Sequence, residues 1–192
     1  GVCAVGGSGS VKLYALGLGG GRHDGTYPTA DDGPTAAVVS DGFVAFNTES
    51  CELEVLTVEG KFAWKHWLGD PLMSMPAIAD GVVYMVYPQS RGDHGHRLAA
   101  FGLADGTRLW EHPISGEVIT APVVAGEHVY ATTLDGVVWC LDRQSGRLSW
   151  RDAMQATSAP MIYGGRCHVS LRERPAGRPT TDNVVEPTVE TD

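Results

Sequence analysis

The chain has 192 residues, 43% of them hydrophobic and 19% charged, with a formal net charge of −9 at pH 7. That composition suits one globular domain with a sizeable core and excludes a chain disordered throughout. The acidic balance repels phosphate backbones and argues against nucleic acid as a partner, and no apolar run reaches the ~20 residues of a membrane-spanning helix.

From the N-terminus, residues 2–5 and 11–16 read as two strands of a hairpin around the Gly-Gly-Ser-Gly-Ser turn at residues 6–10. Glycine there tolerates the positive φ that tight turns need. Residues 17–34 keep no apolar period and read as a loop. The chain opens Gly1-Val2-Cys3-Ala4-Val5, with no initiator Met and no basic leader, so the expectation is a segment of something longer.

A four-strand pattern then recurs. Its first copy, residues 35–68, has turns at Asp41-Gly42 and Glu59-Gly60. The second, residues 74–112, has them at Asp80-Gly81 and Asp105-Gly106, and a polar insertion at 88–96 lengthens it. The third, residues 120–152, is the cleanest. A fourth copy begins near Ala159-Pro160 and stops at Leu171. Trp110 follows Trp64 by 46 residues and Trp150 follows Trp110 by 40. A period of ~40–45 residues with four strands per unit is the signature of propeller blades. Each blade has faces that only stacking around an axis can bury. The expected fold is therefore all-β: a β-propeller of four-stranded antiparallel blades. About four are present, three full and two partial (1–16 and 158–171), within a domain over 1–171. Residues 172–192, rich in Pro, Thr and acids, read as a linker or disordered end.

In each full repeat a glycine stands four residues before a tryptophan: Gly60 and Trp64, Gly106 and Trp110, Gly146 and Trp150. Residues 100–110 and 140–150, with the Ala-Asp-Gly-Val-Val-Tyr and Ala-Gly-Glu-His-Val-Tyr stretches at 79–84 and 125–130, resemble the tryptophan-docking repeats of PQQ-like β-propeller proteins. That motif runs Ala-x-Asp-x-x-x-Gly-x-x-x-Trp. The resemblance covers about residues 1–171. It implies that Gly60, Gly106 and Gly146 make turns, and that Trp64, Trp110 and Trp150 lock each blade onto the next, each ring burying ~150–250 Å². The constant spacing favours docking over three unrelated core tryptophans. Two copies depart from the motif: Leu56 stands where the first would carry its Asp, and Gly102 in the second. The family's usual seven or eight blades imply part of a larger ring. Two chains completing one ring, or residues 158–171 closing against 1–16, are the alternatives.

No catalytic, cofactor or metal site is expected. Gly17-Leu18-Gly19-Gly20-Gly21 lacks the helix that a dinucleotide fingerprint requires. Asp93, His94 and His96 sit in an insertion with too few fixed ligands for a metal. Arg91-Gly92-Asp93 is a chance match. Gly7-Ser8-Gly9 is a turn rather than a nucleophile elbow, and Asp31-Asp32 stand beside Gly33-Pro34 in a turn. The four cysteines, Cys3, Cys51, Cys140 and Cys167, are dispersed and read as small buried side chains; a disulfide between repeats stays open. A quinoprotein dehydrogenase of the resembled family uses adjacent cysteines and an Asn among its calcium partners. Here no two cysteines are adjacent, and Asn47 is the one Asn in the repeats. The resemblance therefore implies a non-catalytic scaffold or sensor module outside the cytoplasm, with a protein partner; the 17–34 and 88–96 segments, which break the repeat, are the expected contact surfaces, since loops on a rigid scaffold carry function. Neighbouring blades would come from the rest of the chain or from a second chain. A segment of a quinone-dependent dehydrogenase is the alternative.

Overall fold

The computed structural model describes residues 2–5, 12–17, 19–20, 23–28, 34–48, 50–69, 74–88, 95–118, 120–172 and 184–185. The strands are β1 (Val2–Val5), β2 (Lys12–Gly17), β3 (His23–Pro28), β4 (Pro34–Ser40), β5 (Phe43–Thr48), β6 (Glu52–Thr57), β7 (Phe62–Trp67), β8 (Ala77–Ala79), β9 (Val82–Pro88), β10 (His96–Gly102), β11 (Arg108–Ile114), β12 (Val123–Ala125), β13 (His128–Thr132), β14 (Val138–Asp142), β15 (Leu148–Asp152), β16 (Met161–Tyr163), β17 (Arg166–His168) and β18 (Val184–Val185). Among the described residues they form five antiparallel sheets in chain order: β1–β3, β4–β7, β8–β11, β12–β15 and β16–β18. The opening strands β1, β4, β8 and β12 touch one another in succession. The sheets thus fan out from a shared line of first strands, which is the arrangement of a partial β-propeller.

Two expectations are corrected. Residues 17–34 are not all loop, because β3 pairs antiparallel with β2, from Lys12 opposite Pro28 to Leu16 opposite His23. Its sequence, His-Asp-Gly-Thr-Tyr-Pro, has no apolar alternation; the ladder offered by β2, rather than propensity, sets its conformation. In the tail, Val184 and Val185 pair with His168 and Cys167 and extend the fifth sheet. The turn at residues 6–10, residues 89–94 of the insertion, and the tail at 173–183 and 186–192 lie outside the described residues.

Successive strand residues point to opposite faces, and in the middle sheets both faces are buried. On β9, Val83 and Met85 join Ala45, Leu53, Val55 and Trp64 in a core between the second and third sheets. Tyr84 and Val86 join Trp110, Val129, Ala131 and Trp139 in the next core, between the third and fourth. Val138 on β14 turns the other way, toward Cys167 and Val169 of the fifth sheet. This is why the strands read as near-continuous apolar runs in the sequence.

The Gly-to-Trp interval conceals a β-bulge. Leu56 pairs with Phe62 but Val55 with Trp64, so Ala63 is an extra residue. The same slip leaves Leu109 extra in β11 and Ser149 extra in β15. Without it, Phe62 and Trp64, two apart, would share a face. The bulge reverses that parity and aims each Trp forward, at the following sheet.

Candidate interaction surfaces

At one end of the sheets the hairpin turns build a repeated clasp. Gly60, Gly106 and Gly146 have φ of 81°, 71° and 69°, the left-handed region that favours glycine. The Trp64 ring lies so close to Gly106 that a Cβ there would come within 2.6 Å of it; Trp110 stands likewise 2.5 Å from a Cβ at Gly146. Gly106 and Gly146 therefore each do two things: each makes its own turn and receives the preceding sheet's tryptophan. The Trp64 indole N–H donates to the Leu103 carbonyl at 2.8 Å, and that of Trp110 to the Arg143 carbonyl at 2.9 Å. The N–H groups of Leu103 and Arg143 donate to Gly81 and Glu127, in the first hairpin turns of their own sheets. One peptide residue thus ties its own sheet together and accepts the neighbour's tryptophan.

Histidines complete the clasp. His66 Nε2 donates to the Gly106 carbonyl at 2.7 Å, and His112 hydrogen-bonds the backbone of Gly146. Burial holds the His112 imidazole below its ordinary value, helped by the charge of Arg97 and opposed by that hydrogen bond. These histidines escaped the sequence reading, although Trp-x-His at 64–66 and 110–112 is a visible repeat. At the surface Arg143 Nη1 bonds Asp80 Oδ2 at 2.6 Å, across two sheets. Trp150 differs: it is half-buried, packs on the core shared with Cys167 and Val169, and is followed at the second position by Asp152 rather than a histidine.

The motif's departures have local causes. Asp142 accepts both the N–H and the hydroxyl of Ser145, which lowers its carboxyl pKa. In the second copy Asp105 takes over that work, bonding Thr107 through backbone and side chain. Its carboxylate lies 2.6 Å from where a Cβ at position 102 would stand, so Gly102 makes room for it. In the first copy the turn closes from Gly60 N–H to the Thr57 carbonyl, one residue tighter than the bonds from Gly106 to Gly102 and from Gly146 to Asp142.

The opposite end carries the β9–β10 connection with its insertion and the links between sheets. There Leu134 N–H donates to the Glu117 carbonyl, and Ala156 N–H to the carbonyl of Gly136. Asp135 bonds the hydroxyls of Thr133 and Ser115; burial opposes its ionisation, but those bonds outweigh it and its pKa is lowered. Cys51, Cys140 and Cys167 are buried and in no disulfide. Burial pushes Cys140 up to about 12, so it stays a protonated packing group rather than a nucleophile. Among the described residues no group of three His, Cys, Asp or Glu side chains could hold a metal ion, and no helix is long and apolar enough to cross a membrane.

Known proteins share these features. The model of the family described as outer membrane protein assembly factor BamB matches residues 12–112 and 54–172. The BamB of Yersinia pestis is 27% identical over 180 residues, covering 85% of this chain and 44% of that protein. The chain thus spans less than half the length of that relative. The crystal structure of BamB from Moraxella catarrhalis aligns at a TM-score of 0.55 and 17% identity, over 88% of this chain and 66% of that one. The quinohemoprotein alcohol dehydrogenase of Comamonas testosteroni aligns at 0.67 and 14% identity, over 88% of this chain and 38% of the enzyme. At such identities the two structures show a common fold. The family model spans the repeats in which one sheet's tryptophan meets the next sheet's glycine, and the chain belongs to the PQQ-like repeat family of the outer membrane protein assembly factor BamB.

Proposed function

We propose that this chain is part of a non-catalytic propeller scaffold that works outside the cytoplasm, in outer membrane protein assembly, by holding a protein partner. The observation that carries the reading is the family match across residues 12–172. It is supported by how the repeated polar groups are used: Trp64, His66, Trp110 and His112 are spent on holding sheets together. What varies between repeats is the connection at the opposite end, above all residues 88–96, and loops on a rigid scaffold are where partners are held. Further blades, from the rest of a longer chain or from a second chain, would continue the ring beyond the fifth sheet.

Replacing residues 89–95 by a two-residue Asn-Gly turn keeps the β9–β10 ladder, whose last pair is Pro88 with His96, since such turns close hairpins well. The variant should melt like the parent and capture fewer outer membrane assembly proteins in a pull-down. Undiminished capture counts against the insertion as the contact. The dehydrogenase reading draws on the alignment at 0.67. The described residues do not fit its calcium and quinone, since they offer no three-ligand cluster and the chain has no adjacent cysteines. Titration with pyrroloquinoline quinone and calcium separates the two: tight, saturable binding would replace the scaffold reading.

A further inference from the structure

Between the fourth and fifth sheets, at the end away from the clasp, lies a cavity of about 230 Å³. Its walls combine hydroxyls with one guanidinium, and none of the described residues lining it is an acid. Some of the hydroxyls are already committed. Thr157 Oγ1 donates to the Ser170 carbonyl at 3.3 Å, and Ser158 Oγ donates to the Ala159 carbonyl while accepting the Ser170 N–H. Thr132 is different. It is 8% exposed, and its buried hydroxyl has no hydrogen-bond partner. On β13 it shares a face with Tyr130, opposite to Val129 and Ala131, so it stands on the side of the fifth sheet. A buried hydroxyl left unpaired costs about 1–3 kcal/mol, and a structure keeps such a group where something else can satisfy it.

Arg172 closes the same cavity. Its backbone N–H is anchored on the Gln155 carbonyl at 3.0 Å, and its guanidinium is in none of the ion pairs among the described residues. Asp135, which lines the adjoining cavity together with Arg172, has its carboxylate hydrogen-bonded by Thr133 and Ser115. The site thus pairs a cation outside the ion pairs of the described residues with a lining that holds no acid, a setting that suits an anion. The cavity is larger than a single water or a lone inorganic ion needs. Leu134, 52% exposed, and Ala159 supply an apolar wall. We propose that this wedge binds a small organic carboxylate, its oxygens paired with the Arg172 guanidinium and the Thr132 hydroxyl and its carbon skeleton against Leu134.

The test is calorimetric titration of the 192-residue chain with succinate, and with succinamide as the uncharged control. Succinate should bind saturably and succinamide should not. Arg172→Gln should weaken succinate at least about tenfold, as loss of a charge-assisted pair does, and Thr132→Val several-fold, with melting temperatures at or above the parent's. Tri-alanine with a free carboxyl terminus, competing where its amide does not, would assign the carboxylate to a peptide end; no competition assigns it to a free acid. The proposal is overturned by an absence of saturable succinate binding, by succinamide binding equally, by phosphate binding as tightly as succinate, or by full affinity in Arg172→Gln.

Discussion

Trp110 makes several of the contacts that hold the third and fourth sheets together. Its ring meets Gly146, its N–H meets the Arg143 carbonyl, and Tyr84 stands 6.0 Å from it on the same face. Trp110→Ala should cost about 3–5 kcal/mol in urea unfolding, the range for truncating a large buried ring. Trp110→Phe keeps most of the packing but leaves the Arg143 carbonyl only the long bond from the Tyr84 hydroxyl at 3.5 Å, and should cost about 1–2 kcal/mol. A melt unchanged in both variants would remove the docking role. Gly146→Ala probes the other partner. It places a methyl 2.5 Å from ring carbons at a φ of 69°, and should cost about 2–4 kcal/mol from left-handed strain and overpacking together. Gly126→Ala is the control, with a φ of 56° but nothing within 4 Å of its Cβ; it should lose only the backbone part.

At the scale of the element, the outer strand of each repeat is defined by its bulge, and the bulge is what lets a tryptophan and a histidine two residues later both reach the next sheet. His112 makes this strand pH-sensitive. Its folded pKa lies below the ordinary 6.5, so between those two values the unfolded chain binds more protons. Its contribution to stability is therefore full above about 6.5 and is lost as pH falls through the folded value. The melting temperature should drop between about pH 7.5 and about pH 5, and the drop should be smaller in His112→Gln. An equal drop in both proteins would assign the sensitivity to other groups. Trp-x-His was legible in two repeats, but the reach of the histidine was not. It depends on the parity set by Leu109, and an inserted residue leaves no mark on composition or spacing.

Across the whole molecule, stability should be shared between neighbours, as in stacked repeats generally. The third sheet is enclosed on both sides, by the core with Trp64 and the core with Trp110. The fifth presents Met161 and Tyr163, 62% and 79% exposed, on its outer side. Amide exchange should accordingly be slowest in β9 and β10 and faster in β16 and β17. Uniform protection from the second to the fifth sheet would mean that the sheets open as one unit instead.

The period, the four-strand unit and the Gly-to-Trp interval were legible in the chain alone, because turns and alternating burial are local and recur along it. Whatever depends on a neighbouring strand or sheet became visible in the folded chain, not in the sequence. β3 exists because β2 offers it a ladder, despite the polar His-Asp-Gly-Thr-Tyr-Pro. Gly106 and Gly146 serve as docking floors because the tryptophan 42 and 36 residues earlier, respectively, is turned toward them. Thr132 and Arg172 line one cavity although 40 residues separate them, a juxtaposition made by packing one sheet against the next.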